Sequence, residues 1–332
     1  MKMKKFINEP ANLTQELLEG LELSNPNLIE FVDGKMIVNK NLQDADRVTV
    51  VSLGGTGHEP ALSGFVGDGM LDISVPGDIF AAPGPGPCLD AIRMADKGKG
   101  VLFIVLNHAG DMLTGDMVMK RAKKEGLNVV KVVTQEDISN APREQAHDRR
   151  GLAGCVPVFK VAGAAAAEGK SLEEVAAVAQ KFADNMATIA VAARGATHPS
   201  TGEIISTLGE DEMEIGMGQH GEGGGGRQKM ATANETAEVM LNALLKDLDI
   251  KEQEELMVMI NGTGQTTLME QLIVFRHCCK SLAEKNIDVK ASFVGEYLTV
   301  QEMSGFQMCI ARLDDELKKY LEAPCKTPYY TV

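Results

Sequence analysis

Three short apolar runs constrain what this chain can fold into: "RVTVVSLGG" (47–55), "GVLFIVLN" (100–107) and "NVVKVV" (128–133). Each is β-branched, and the first ends in glycines, the pattern of a buried strand running into a tight loop. Between them lie helical patterns, "CLDAIRMADKG" and "DMLTGDMVMKRAKKEG", each closed by the glycine that a helix C-terminus favours. Strands separated by helices of this length form a parallel, doubly wound sheet. "GLAGCVPVFKVAGAAAAEG" (151–169) and "SLEEVAAVAQKFADNMATIA" (171–190) read as two consecutive helices, with Ser171 and Glu174 as a capping box on the second.

Composition changes after about residue 186. "RGATHPSTGEIISTLGEDEMEIGMGQHGEGGGGRQK" is loop-rich, and "TANETAEVMLNALLKDL" is an amphipathic helix. "ELMVMING" reads as a strand, "TTLMEQLIVFRHCCKSLAEK" as a helix, and "VKASFVGEYLT" and "FQMCIARL" as strands. The expected fold class is therefore α/β: a doubly wound, largely parallel sheet domain over 1–185, then a second α/β domain over 186–317. The tail, 318–332, is expected to pack back on the first domain. A length of 332 residues suits two such domains.

The bulk properties exclude several functions. No apolar run approaches the roughly 20 residues of a membrane span. The basic start, "MKMKKFINEPANLTQ", has no apolar stretch behind it, so a cytoplasmic protein is expected. Six cysteines without a C-x-x-C pair fit a reducing compartment and no metal site. A formal net charge of −14 argues against nucleic acid or an anionic membrane as partner. With only 4% aromatic residues, a base-stacking platform is also excluded. What remains is an acidic enzyme acting on something small.

"EIGMGQHGEGGGGRQK" (214–229) holds a G-x-G-x-x-G: Gly216, Gly218 and Gly221. A dinucleotide fingerprint must follow an apolar strand and open a helix. Here "LGEDEME" precedes it and further glycines follow, so the alternative is a glycine-lined pocket around a reactive imidazole, His220. A phosphate loop at "GAAAAEGKS" (163–171) fails by one residue in its glycine spacing, which leaves a helix–turn–helix junction. "SLGGTGHEPALSGFVGDGM" (52–70) is more specific. Gly54, Gly55 and Gly57 sit at a strand's C-terminal end, where open α/β sheets bind ligands, and His58 follows. "GVLFIVLN" leads into "HAGDML", which puts Asp111 at a second such edge, where it also suits a helix cap. His58, Asp111 and His220 then form a site of two imidazoles and a carboxylate. His108 is placed to line it, whereas His147, His198 and His277 read as solvated or structural.

The stretches "GGTGHEPALSGFVGDGML", "NHAGDML", "GLAG" and "GMGQHGEGG", in this order and spacing, resemble the substrate-binding K subunit of dihydroxyacetone kinase, the type that works with the phosphoenolpyruvate phosphotransferase system. The resemblance runs from about residue 10 to the end. It implies that His220 attacks the ketone carbonyl and holds dihydroxyacetone, or a similar small ketose, as a covalent hemiaminal. It further implies that His58 accepts a proton, that Asp111 hydrogen-bonds the substrate hydroxyl, and that Gly55, Thr56, Gly57 and Leu106 contact substrate. ADP and magnesium are expected in a separate L subunit, with no cofactor or metal on this chain, and phosphate arrives through an M subunit. A homodimer is expected, with no nucleic-acid or membrane partner. Leu106 stands where the family commonly has lysine, and Leu62 where it often has histidine. Erythrulose is thus an alternative ketose. Some relatives bind dihydroxyacetone only to signal to a transcription regulator.

Overall fold

The structure, a computed structural model, describes residues 4–218, 221–223 and 226–332. It contains two six-stranded sheets. The first runs β1 (Ile29–Val32), β2 (Met36–Asn39), β4 (Ile73–Ile79), β3 (Thr49–Thr56), β5 (Val101–Leu106), β6 (Val129–Thr134) in spatial order. The last four in that order are mutually parallel, and β1 and β2 form an antiparallel flap at one edge.

The continuous apolar runs are explained by the alternation of a pleated strand. Val50, Leu102 and Ile104 point into one core, and Val51, Leu53, Phe103 and Val105 into another on the opposite face. Helices α2 (Pro85–Ala95) and α3 (Ala109–Glu125) cover the latter face. Helices α1 (Leu13–Ser24), α4 (Cys155–Ala167) and α5 (Leu172–Asp184) contribute to the former.

The second sheet has the order β11 (Asp288–Gly295), β10 (Glu255–Gly262), β12 (Ser304–Leu313), β7 (Met186–Arg194), β8 (Glu212–Ile215), β9 (Arg227–Lys229). Only the β10–β11 pair is parallel. Helices α6 (Ala233–Leu248) and α7 (Leu268–Glu284) pack on one face through Met240, Leu241, Leu244 and Cys278. The other face, with Met257, Met259, Cys309 and Ala311, shares a core with α4. Helix α4 is thereby covered on all sides: every residue from Cys155 to Ala166 is buried. A helix apolar on every side but for Lys160 suits such a position.

After a final helix, α8 (Asp315–Glu322), the chain returns to the first sheet's side. Lys326 donates its backbone N–H to Asp68 O at 2.8 Å, and Tyr329 donates to Gly64 O at 3.2 Å. Among the described residues, no helix is long and apolar enough to cross a membrane.

Two expectations about elements need correction. The helix read through Ala190 stops at Asp184, and "MATIAVAAR" is strand β7. Thr188, Ile189 and Val191 are strand formers paired with β12, and the intervening alanines mimic a helix. Strand β4 escaped notice because Pro76 and Gly77 interrupt it. The proline is tolerated because β2 pairs only with Ile73 and Ser74, leaving β4 a one-sided edge at Pro76.

Glu136, between β6 and α4, is 1% exposed. Its Oε1 accepts hydrogen bonds from the backbone of Leu152 (2.8 Å) and Gly154 (3.0 Å). Burial pushes its carboxyl up from 4.5 to about 8. The folded state therefore keeps a proton that the unfolded state loses near 4.5. The resulting stability is fully present below that pH and disappears as pH rises towards 8. Glu136→Gln keeps the shape without titrating, so its melting temperature should fall less than the wild type's between pH 5 and about 8. Parallel melting curves followed by circular dichroism across that range would rule the effect out.

Candidate functional site

The loop after β3 needs its glycines for close approach. A Cβ on Gly55 would stand 2.7 Å from Ala81 N, and one on Gly57 (φ +97°) 2.8 Å from the Phe80 ring. This packing delivers His58, 4% exposed, to the C-terminal edge of the first sheet. Its Nδ1 lies 2.8 Å from Thr299 O. A carbonyl only accepts, so Nδ1 carries the hydrogen and Nε2 is the basic nitrogen. The Phe80 ring, 5.0 Å away between centroids, packs against the imidazole.

Strand β5 ends at Leu106, and His108 is the N-cap residue of α3. His108 Nε2 donates to Gly151 O at 2.8 Å, by the same logic. Asp111 follows in the first helical turn, 9% exposed, where the helix dipole favours an anion. Burial, with the charge of Asp111 added to it, pushes the nearby Cys88 thiol up to about 12.

His58, His108, Asp111, Gly55, Leu62 and Leu106 line one narrow cavity, about 30 Å³, together with Phe80, Ala81, Ala82 and Leu298. That is room for one or two waters, on the order of a few heavy atoms. The other described residues that line the cavity offer backbone and apolar side chains, an arrangement that suits a small polar ligand. Thr56 is directed elsewhere: its hydroxyl donates to Gly77 O at 3.1 Å, and it lines a separate crevice beside α1. Gly57 acts through its contact with Phe80. His220 lies outside the described residues. Among the described residues, no group of three or more His, Cys, Asp or Glu is placed to hold a metal ion.

The segment after β11 of the second sheet orients His58. Thr299 N donates to His58 O (3.0 Å), and Thr299 Oγ1 to Glu59 O (2.8 Å). Asn261, at the end of β10 and 0% exposed, accepts from the backbone N–H groups of Tyr297 and Leu298 and donates to Leu298 O. Burial raises the carboxyl of Glu59 while the backbone N–H of Gly57 opposes the shift. Sequence reasoning missed Phe80, Ala81, Ala82, Leu298 and Thr299. The Pro/Gly-rich "AAPGPGP" after β4 signals a loop, but nothing local indicates that Phe80 adopts φ +56°. Of the remaining histidines, His147 is exposed, His198 meets the Phe80 ring edge-on at 5.4 Å, and His277 pairs with Glu238 at 2.9 Å.

These features define an α/β protein that presents a histidine and a carboxylate at the carboxyl ends of parallel strands, the customary ligand edge of such sheets. Residues 19–329 match the Dak1 domain, and the chain belongs to that family. It is 37% identical over 332 residues to the PTS-dependent dihydroxyacetone kinase 2, dihydroxyacetone-binding subunit DhaK, of Listeria innocua, covering 99% of this chain and 100% of the relative. Among solved structures, the dihydroxyacetone kinase operon co-activator DhaQ superposes with a TM-score of 0.90 at 31% identity, over 98% of this chain and 99% of that one. The dihydroxyacetone kinase of C. freundii superposes at 0.88 and 30% identity, over 99% of this chain but 60% of that longer chain.

Asn261→Ala would leave two backbone N–H groups, that of half-buried Tyr297 and that of buried Leu298, without their acceptor. The expected cost is about 1–3 kcal/mol, read by urea denaturation. A loss below roughly 0.5 kcal/mol, within the range of an ordinary surface change, would show that the 297–299 turn is held by other contacts.

Proposed function

We propose that this chain is the dihydroxyacetone-binding subunit of a phosphoenolpyruvate-dependent dihydroxyacetone kinase. The observation that carries the reading is His58, held as the Nδ1–H tautomer by Thr299 O, with Asp111 on the same narrow cavity. That is the pair a substrate hydroxyl needs to be oriented and deprotonated. The full-length likeness to a dihydroxyacetone-binding subunit supports it.

In this reading a ring nitrogen of His220 adds to the ketone carbon. The carbonyl π pair moves to oxygen, which takes up a proton as the imidazole N–H is lost, and a neutral hemiaminal results. Glycerol, with no carbonyl, is rejected chemically. Asp111 accepts a hydrogen bond from the terminal hydroxyl, and His58 Nε2 takes its proton as the oxygen attacks a phosphoryl group. That phosphoryl group comes from a nucleotide and magnesium on the L subunit, itself recharged through the M subunit. The chain works as a cytoplasmic homodimer in this scheme. Leu62 and Leu106 give the cavity an apolar wall, so the best ketose is dihydroxyacetone or a short relative such as erythrulose.

The closeness to the DhaQ co-activator favours a second reading, a ketose sensor without turnover. Kinetics with added L and M subunits, the general phosphotransferase proteins and phosphoenolpyruvate separate the two. Asp111→Ala should lower turnover by about 10²–10⁴-fold while ketose binding changes far less. Wild-type chain that binds dihydroxyacetone but supports phosphorylation of neither it, erythrulose nor glyceraldehyde would establish the sensor instead.

A second measurement addresses the covalent step. Crystals soaked in dihydroxyacetone should show density continuous between a His220 ring nitrogen and the ketose carbon. Ligand bound there without a bond, or bound elsewhere, would sink the hemiaminal.

A further inference from the structure

The segment between β6 and α4 sends one arginine across to the second sheet's glycine-rich loop. Arg150 is 9% exposed. Its backbone carbonyl accepts from Glu136 N (3.1 Å) and Asp137 N (3.0 Å), and its Nε donates to Asp137 Oδ2 at 2.9 Å. Asp137 is itself 0% exposed and fixed by Ser139, whose N–H and hydroxyl both donate to Oδ1. Both ends of the arginine are therefore anchored before its outer nitrogens reach the loop.

Those nitrogens clip the loop at two places. Nη2 donates to Gly216 O at 3.1 Å, and Nη1 to Glu222 O at 3.4 Å, with the Glu222 carboxylate 3.8 Å away. Between these points the chain closes on itself: Gly218 N donates to Glu222 O at 2.6 Å, and Gly221 N to Gly218 O at 3.1 Å. The G-x-G-x-x-G pattern now has a physical reading that needs no nucleotide. Gly216 (φ +88°) and Gly221 (φ +80°) occupy left-handed backbone. A Cβ on Gly218 would stand 2.1 Å from Arg150 Nη1. Gly218 is thus a glycine because the guanidinium occupies that space.

We propose that Arg150 is a positioning residue for covalent capture of the ketose: it holds the backbone at Gly216 and Glu222, the two points that flank His220 in sequence. The proposal rests on the reading of His220 as the nucleophile. Addition to a carbonyl demands a near-attack placement of the ring nitrogen, and small displacements there are costly. The planar fork spreads its donors over three nitrogens, so Nε holds Asp137 while Nη1 and Nη2 reach the two carbonyls, a span that the one nitrogen of a lysine does not cover.

The test is the covalent adduct itself, in full-length protein labelled with nitrogen-15 at histidine and given dihydroxyacetone labelled with carbon-13 at the carbonyl. A one-bond carbon–nitrogen coupling reports the hemiaminal and nothing else. It should be present in the wild type and absent in His220→Ala. In Arg150→Ala and Arg150→Lys, adduct occupancy at limiting ketose should fall at least about tenfold, the size of effect a misplaced nucleophile produces. The lysine variant keeps the charge, so a purely electrostatic or stability role would be rescued by it and a positioning role would not. If Arg150→Ala does not fold, Gly218→Ala displaces the guanidinium from the loop and should show the same loss. Wild-type occupancy in folded Arg150→Lys or Gly218→Ala, with none in His220→Ala, overturns the positioning role alone. Coupling that survives in His220→Ala overturns the nucleophile assignment and the proposal with it.

Discussion

The burial of one helix between two sheets is the constraint on which the rest of this structure depends. Helix α4 contributes Val156, Phe159, Val161 and Ala165 to a core that also takes side chains from β3, β5, β10 and β12. Close approach is built in at Gly163, where a Cβ would stand 2.4 Å from the backbone of Gly69. The helix also carries a lysine, Lys160, 0% exposed, whose Nζ donates to Tyr320 O at 2.6 Å. Burial lowers its pKa, and the carbonyl of α8 offsets part of the desolvation. The same hydrogen bond ties the C-terminal helix to the buried one.

Fixing the sheets about α4 lets each complete the other's chemistry. His58 rises from the end of β3, yet its tautomer is set by Thr299 O, beyond β11 in the second sheet. Thr299 is in turn placed by Asn261 acting on the preceding two residues. In the opposite direction, Arg150 leaves the first sheet's side to hold the carbonyls of Gly216 and Glu222. Arg149, 1% exposed, makes a parallel crossing to Asp247 at the end of α6, where Arg143 joins it. Burial opposes the ionisation of Asp247, but hydrogen bonds from the two arginines prevail and hold its carboxyl below the ordinary range. A shift of the two sheets relative to each other would alter every one of these contacts, so fold stability and site geometry are coupled.

Much of this was legible in the residues because it is local. The apolar runs at β3 and β5 announce strands buried on both faces, and the glycines of "GGTGHE" announce a close backbone approach beside a histidine. The motif order pointed to the family that the Dak1 match bears out. Cap chemistry was equally readable: Ser171 and Glu174 form the reciprocal pair at the start of α5.

What the sequence alone determined, then, was the α/β class, the family and the elements whose signal lies within a few residues. Tertiary structure decided the rest. Phe80 reaches His58 through the pairing of β4 with β3, and Leu298 and Thr299, more than two hundred residues on, only through the meeting of the two sheets. β7 read as helix because alanines dilute its strand formers, and its identity is settled by β12, more than a hundred residues away. In the sequence Gly218 reads as part of a glycine-lined pocket and not of a nucleotide motif, but no pattern within the loop records that Arg150 fills the space where its side chain would be. Periodicity and capping act over one or two turns of chain, whereas the tautomer of His58 and the contacts of the glycine-rich loop are set by hydrogen bonds between segments that the sequence keeps apart.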